Sequence, residues 1–227
     1  MTKLTLLFLL TFATSVHAQS NFVTRDSAHI FWQPGTTLTP ADFKGDSTGK
    51  YKETYRHSDI KAMAYIGIWS ILDVPKKKKD RGKKLEKVHI APAFDIKASY
   101  ALKSDNTQIA KQQIYFDIAE VWARWARQQF KSYQDTIPGY GIVFSMYSTV
   151  IRDMKAQQAK MNDEFTKEIF VDKLPGAFAK WRKLIDDKLE ETKAWATTPQ
   201  DCFRFISDKP IDEDYEQSPT VMGAIPQ

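Results

Sequence analysis

The chain has 227 residues, with 33 Lys and Arg against 28 Asp and Glu, a formal net charge of +5 and one cysteine. The lone cysteine, Cys202, excludes an intramolecular disulfide. High aromatic content with nine glycines excludes a collagen-like or low-complexity chain, and the length is enough to bury one sizeable core.

Residues 1–18 have the pattern of a secretory signal peptide. Lys3 supplies the positive start, Leu4 to Phe12 the apolar stretch, and Val16-His17-Ala18 a small-x-small cleavage site. That apolar run is too short to span a bilayer as a mature helix, and no later segment is apolar enough, so no transmembrane segment is expected after cleavage. No cysteine follows the run, which argues against a lipid anchor. The mature chain is expected to begin near Gln19, outside the cytoplasm, secreted or periplasmic. Removing Lys3 takes one positive charge and lowers +5 to +4.

The expected layout is a single α+β domain over residues 19–196, a small antiparallel sheet followed by a helical half, and then an extended tail over 197–227. Residues 28–32 suit a short strand. In Leu38-Thr39-Pro40-Ala41-Asp42-Phe43-Lys44-Gly45, Pro40 pre-sets a turn, Asp42 can cap it, Phe43 can plug the core, and Gly45 can take the positive φ that ends it. Residues 60–74 are rich in β-branched and aromatic side chains and end at Pro75. Val88, Ile90, Phe94, Ile96 and Ala98 alternate with Lys87, His89, Asp95, Lys97 and Ser99, which predicts a strand with one dry and one wet face. On that pattern His89 is expected to meet solvent. Pro92 cannot donate to a ladder and indicates an edge or a bulge.

Between these strands lies a basic cluster, Lys76 to Lys79 with Arg81, Lys83 and Lys84. It is expected to be the solvated tip of a hairpin; the alternative is a site for an anionic partner: acidic glycan, phospholipid headgroup or nucleic acid. No aromatic residues interleave with the lysines, so nucleic acid is not expected. Helical periodicity then takes over, with helices expected near residues 107–133, 147–170 and 177–195. In the first, Lys111, Tyr115, Ile118, Trp122 and Trp125 fall on one face. The prolines at 199, 210, 219 and 226 and the acidic Asp212-Glu213-Asp214 are the basis for the extended tail.

Three separated segments carry a family pattern. The Leu38-Thr39-x-x-Asp42-Phe43-Lys44-Gly45 opening, Phe94-Asp95 with Ser99-Tyr100, and Phe116-Asp117-Ile118-Ala119-Glu120 with Ala123-Arg124 resemble a bacterial family of predicted secreted zinc-dependent proteases. Asn162-Asp163-Glu164-Phe165, with Trp181, Ile185 and Leu189, resembles its closing segment, so the likeness runs over about residues 28–192. It implies a zincin-like fold and a metal helix of the form His-Glu-x-x-His followed by Phe-Asp-Ile-x-Glu. Here the metal-binding head is replaced. Lys111 and Tyr115 stand at the two histidine positions, Gln112 at the glutamate, and Lys167 at the third ligand of an ungapped alignment.

The replaced residues cannot do the same chemistry. Two histidines four apart on a helix share one metal ion, and the adjacent glutamate takes a proton from its bound water. Lysine repels a dication, tyrosine has a phenol pKa near 10, and glutamine has no basic oxygen. No metal, cofactor or catalytic residue is therefore expected. The expected function is a secreted pseudoenzyme that binds a peptide, glycan or protein, with Tyr115, Asp117, Glu120 and Trp122 as candidate binding residues. Tyr115 and Trp122 either line a vestigial cleft or belong to the core. Asp117 is expected to cap or pair locally, Glu120 to pair with Arg124 four residues on, and Lys111 to need a carboxylate partner. The alternative function is a hydrolase with a rearranged site around Asp117, Glu120 and a histidine.

Overall fold

The structure, a computed structural model, describes residues 22–46, 60–102 and 106–222. The expected signal peptide and His57 lie outside the described residues. The long hairpin of β2 (Ala62–Pro75) and β3 (Lys87–Ala101) is the centre of the sheet. Strand β1 (His29–Phe31) pairs with β3, and β4 (Tyr215–Met222) with β2, giving the order β1-β3-β2-β4 with every pair antiparallel. Among the described residues, four α-helices complete a mixed α/β architecture: α1 (Asn106–Thr136), α2 (Ile142–Thr166), α3 (Ala177–Glu191) and the short α4 (Pro199–Ser207).

Pro92 lies in an inner strand, but its nitrogen meets a local edge. Its carbonyl accepts from the Trp32 N–H at 3.0 Å, so the ring nitrogen faces the β1 side, where pairing already ends at the Phe31–Ala93 register. The one ladder bond that proline cannot make, to the Trp32 carbonyl, is replaced by a bond from Gln33 Nε2 at 2.6 Å. The Thr39–Asp42 turn forms as expected. Asp42 accepts from the Thr39 N–H at 2.8 Å and the Thr39 hydroxyl at 2.7 Å, and Phe43 packs edge-on against Phe94. Gly45 has a different role from the expected one. It does not need a positive φ; a Cβ there would stand 2.8 Å from the carbonyl oxygens of Lys97, Ala98 and Ser99. Only glycine lets this segment lie so close to β3.

Helices α1 and α2 cover one face of the sheet. Ile68, Leu72, Val74 and Ile90 from the strands pack against Ala119, Ala123, Ala126 and Phe130 of α1 and Val143, Val150 and Met154 of α2. The alanine stripe lets α1 approach the sheet closely, and Phe116 and Phe94 fill the space beyond it. Each such fully buried side chain contributes about 1.5–3 kcal/mol. Helix α2 runs on into one π turn, Lys167–Val171, and α3 packs Trp181 and Ile185 on Ile114, Ile118 and Phe165. Among the described residues, no helix is long and apolar enough to cross a membrane.

Two sequence expectations are overturned here. Residues 197–222 are not an extended tail: they form α4 and β4, both integral to the fold. Pro199 occupies the first turn of α4 behind a Thr198–Asp201 capping box, and Pro219 sits in the outermost strand, so neither proline interrupts structure. His89 is not solvent-exposed, because α4 covers the sheet face expected to be wet. Phe31, Ala91, Ala93, Cys202 and Phe205 form a second, smaller core there. The acidic residues of the supposed tail complement the basic hairpin. Lys84 pairs with Asp214, Lys87 with Asp212, and Arg81 with Glu216 at 3.5 Å.

Candidate binding cleft

A cleft of about 370 Å³ opens where β2, α1 and the end of α2 meet. Its walls are Ile60, Ala62, Met63, Ala64 and Ile66 on the strand side, Gln112 and Tyr115 from α1, and Gln158, Asn162, Thr166 and Phe170 from α2 and its π turn. Among the described residues, β4 pairs with β2 only over Ile71–Pro75, and the cleft runs along β2 beyond that stretch. Gln112 and Tyr115, two of the positions singled out by the family resemblance, thus border open space.

The polar groups of this cleft are neutral and their hydrogen bonds have defined directions. Gln112 is buried and its Oε1 accepts from the Ala64 N–H at 2.9 Å, standing in for a neighbouring strand. Thr166 donates its hydroxyl proton to the Asn162 carbonyl at 2.7 Å. The 2.7 Å contact between Tyr115 Oη and Thr166 Oγ1 must then be donated by Tyr115. Burial pushes the Tyr115 phenol above its usual range, and the nearby Asp163 adds to this against the opposing bond to Thr166. The phenol stays protonated and keeps a lone pair for an incoming donor. Asn162 Oδ1 is buried with no partner among the described residues. The cleft therefore has an acceptor at Tyr115 and an unpartnered one held within its wall at Asn162, beside apolar side chains, an arrangement suited to amide or hydroxyl groups.

The other motif residues do not join this site. Lys111 lies over the Phe170 ring, its ammonium 5.0 Å from the centroid, so a cation–π contact takes the place of the expected carboxylate. Lys167 is on the outside of the π turn, 3.7 Å from Asp172. Trp122 packs between the helices against Trp125 and does not line the cleft.

Asp117 faces away from the cleft. Its Oδ1 accepts from Trp32 Nε1 at 2.8 Å and Gln113 Nε2 at 3.0 Å, and its Oδ2 from Arg182 at 2.6 Å. The partner is Arg182 on α3, 65 residues away, rather than the local Arg124. Glu120 does pair with Arg124, at 2.7 Å, and also accepts from the Thr197 N–H at 2.8 Å and from its hydroxyl. Both carboxylates are buried with both oxygens engaged.

A second ionic group fixes α4 to the sheet. Arg204 binds Asp73 through two bonds of 2.8 and 2.9 Å, and both side chains are almost wholly buried. His89 Nδ1 meets Asp201 at 2.9 Å and its Nε2 lies 3.7 Å from Asp73. Burial alone would raise the Asp201 carboxyl, but the bond from His89, the charge of Arg127 and the bond from Thr198 hold it below its usual value. Cys202 is no nucleophile in this setting, because burial pushes its thiol up to about 12. Among the described residues, no three His, Cys, Asp or Glu side chains are grouped to hold a metal ion.

Sequence reasoning missed Gln158, Asn162 and Thr166 as a set. Their spacing of four and four places them in a row on one face of α2, a polar stripe beside the apolar Met154, Met161 and Phe165. That stripe is the signal by which they could have been found. No protein-family model, curated protein or solved structure matches the chain.

Proposed function

We propose that this chain is a non-catalytic binding protein acting outside the cytoplasm, and that it holds an uncharged peptide segment in the cleft beside Gln112 and Tyr115. One observation carries the reading: the space next to the replaced motif positions is open, and its polar groups are neutral hydrogen-bonding ones. A peptide amide brings both a donor and an acceptor, which matches acceptors at Asn162 and Tyr115. The strand wall, Ala62 to Ile66, favours an extended ligand lying alongside β2. In this reading the scaffold of a zinc-dependent protease family is kept and its metal chemistry is gone. A rearranged hydrolase finds less support, because Asp117 and Glu120 are committed to Trp32, Arg182, Arg124 and Thr197.

The test pairs metal analysis with ligand binding on purified protein. Zinc at no more than trace level, together with calorimetric binding of uncharged, end-blocked peptides that weakens in Asn162→Ala, is the expected result. One zinc per chain held with sub-micromolar affinity would overturn the non-catalytic reading. Peptide affinities that Asn162→Ala and Tyr115→Ala both leave untouched would remove the cleft as the binding site.

A further inference from the structure

We propose that the end of the molecule formed by the β2–β3 hairpin tip and the α1–α2 turn is a docking surface for an anionic phospholipid bilayer, separate from the cleft. The acidic residues after α4 sort the basic cluster into two sets. Lys84, Lys87 and Arg81 are paired with Asp214, Asp212 and Glu216, and the Lys76 ammonium donates to the Glu213 carbonyl at 2.6 Å. Lys77, Lys78, Lys79 and Lys83 remain exposed without an ion-pair partner among the described residues, with Asp80 as the one acid between them. The paired set anchors the loop, and the unpaired set projects from it.

Exposed apolar side chains lie at the same end. Leu85 is 40% exposed, Ile137 51% and Phe144 38%. The hairpin tip and the helix turn are joined in space. The Glu86 carboxylate accepts from the Gly141 N–H, Gln134 Nε2 donates to the Glu86 carbonyl at 3.1 Å, and the Arg81 guanidinium lies 5.6 Å from the centre of the Tyr140 ring. Arg81, Tyr140, Gly141 and Phe144 also line one shallow depression of about 290 Å³. Lysines around protruding apolar residues match a bilayer interface, where the cations meet lipid phosphates and the apolar groups enter the acyl boundary. A polyanion such as a glycan or nucleic acid would use the lysines and gain nothing from Ile137 or Phe144.

Co-sedimentation with vesicles tests this directly. The protein should pellet with mixed phosphatidylcholine and phosphatidylglycerol vesicles, less so as salt rises, and much less with phosphatidylcholine alone. Lys78→Glu with Lys79→Glu should lower the partition coefficient by about fivefold for each lysine. Ile137→Ser with Phe144→Ser should lower it by about tenfold, the loss expected for withdrawing two partly buried apolar groups. Lys78 and Lys79 are exposed, so their variant should match the parent in far-UV spectrum and melting curve; Phe144 is more than half buried, so the serine variant is compared at a temperature where its far-UV spectrum matches the parent, and parent and variants carry the same N-terminal residues. Equal pelleting on neutral and anionic vesicles would overturn the proposal. So would full vesicle affinity in the serine variant, which with binding to heparin would mark a polyanion site instead.

Discussion

Gln112 and Tyr115 on one face of α1 border open space, whereas Asp117, Glu120 and Arg124 on another face are held on every side. The two faces lie within about three and a half turns of one helix. On the tied face the side chains are charged, and each carboxylate oxygen has a donor within hydrogen-bonding distance. On the open face the two side chains that border the cleft, Gln112 and Tyr115, are neutral. The contrast follows from solvation: a buried charge is tolerable only with its counter-charge and hydrogen bonds in place, while a neutral amide or phenol can face a cleft at little cost. Asp117, Glu120 and Arg124 are thus structural, while Gln112 and Tyr115 border the cleft.

Breaking the tied face should give the largest effects. Glu120→Ala strands the buried guanidinium of Arg124 and should cost about 3–5 kcal/mol in urea unfolding. A loss under about 1 kcal/mol would mean that the two faces differ less than the geometry says. Asp117→Asn keeps the shape but weakens the charge-assisted bond from Arg182, and about 2 kcal/mol is expected from the same measurement.

The α4 latch sharpens the comparison through pH. Asp201 has its folded-state pKa below the ordinary carboxylate value. Its contribution is therefore complete above the unfolded pKa, near 4, and is lost as pH falls through the lower folded value. Asp201→Asn should remove that part of the acid dependence of the melting temperature and cost about 1 kcal/mol at neutral pH. An unchanged acid limb would show that other carboxylates carry it. The smallest stability effect belongs to the open face. Tyr115→Phe removes one neutral bond to Thr166 and should cost about 0.5–1 kcal/mol, while the affinity for end-blocked peptides falls about fivefold. A loss as large as that of Glu120→Ala would place Tyr115 in the tied network after all.

The local patterns in the sequence were informative. Period-two alternation marked β3, helical spacing marked α1 to α3, and the Glu120–Arg124 spacing marked a pair that forms at 2.7 Å. What escaped was non-local. Asp73 and Arg204 meet across 131 residues, and His89 and Asp201 across 112, so nothing near His89 shows that a helix will cover it. The prolines at 199 and 219 look like breakers, yet a helix start and an edge strand are the two places that accept them. The acidic triplet and the basic hairpin were each visible, but their attraction appears only when β4 is laid beside β2. The α1 side of the cleft, Gln112 and Tyr115, was singled out through the family resemblance. The other half, on α2, carries no motif and shows only as a polar stripe.

The pairing of β4 with β2 has a consequence for how the molecule is made. Asp73 and Gln217 are register partners, so the sheet closes only after nearly all of the chain is available. Until then β2 has an open backbone edge over Ile71 to Pro75. Long-range closure of this kind slows folding and prolongs the life of a sticky intermediate. A chain cut before Tyr215 would keep its helices and its hairpin but lose the capped edge, and should self-associate through β2.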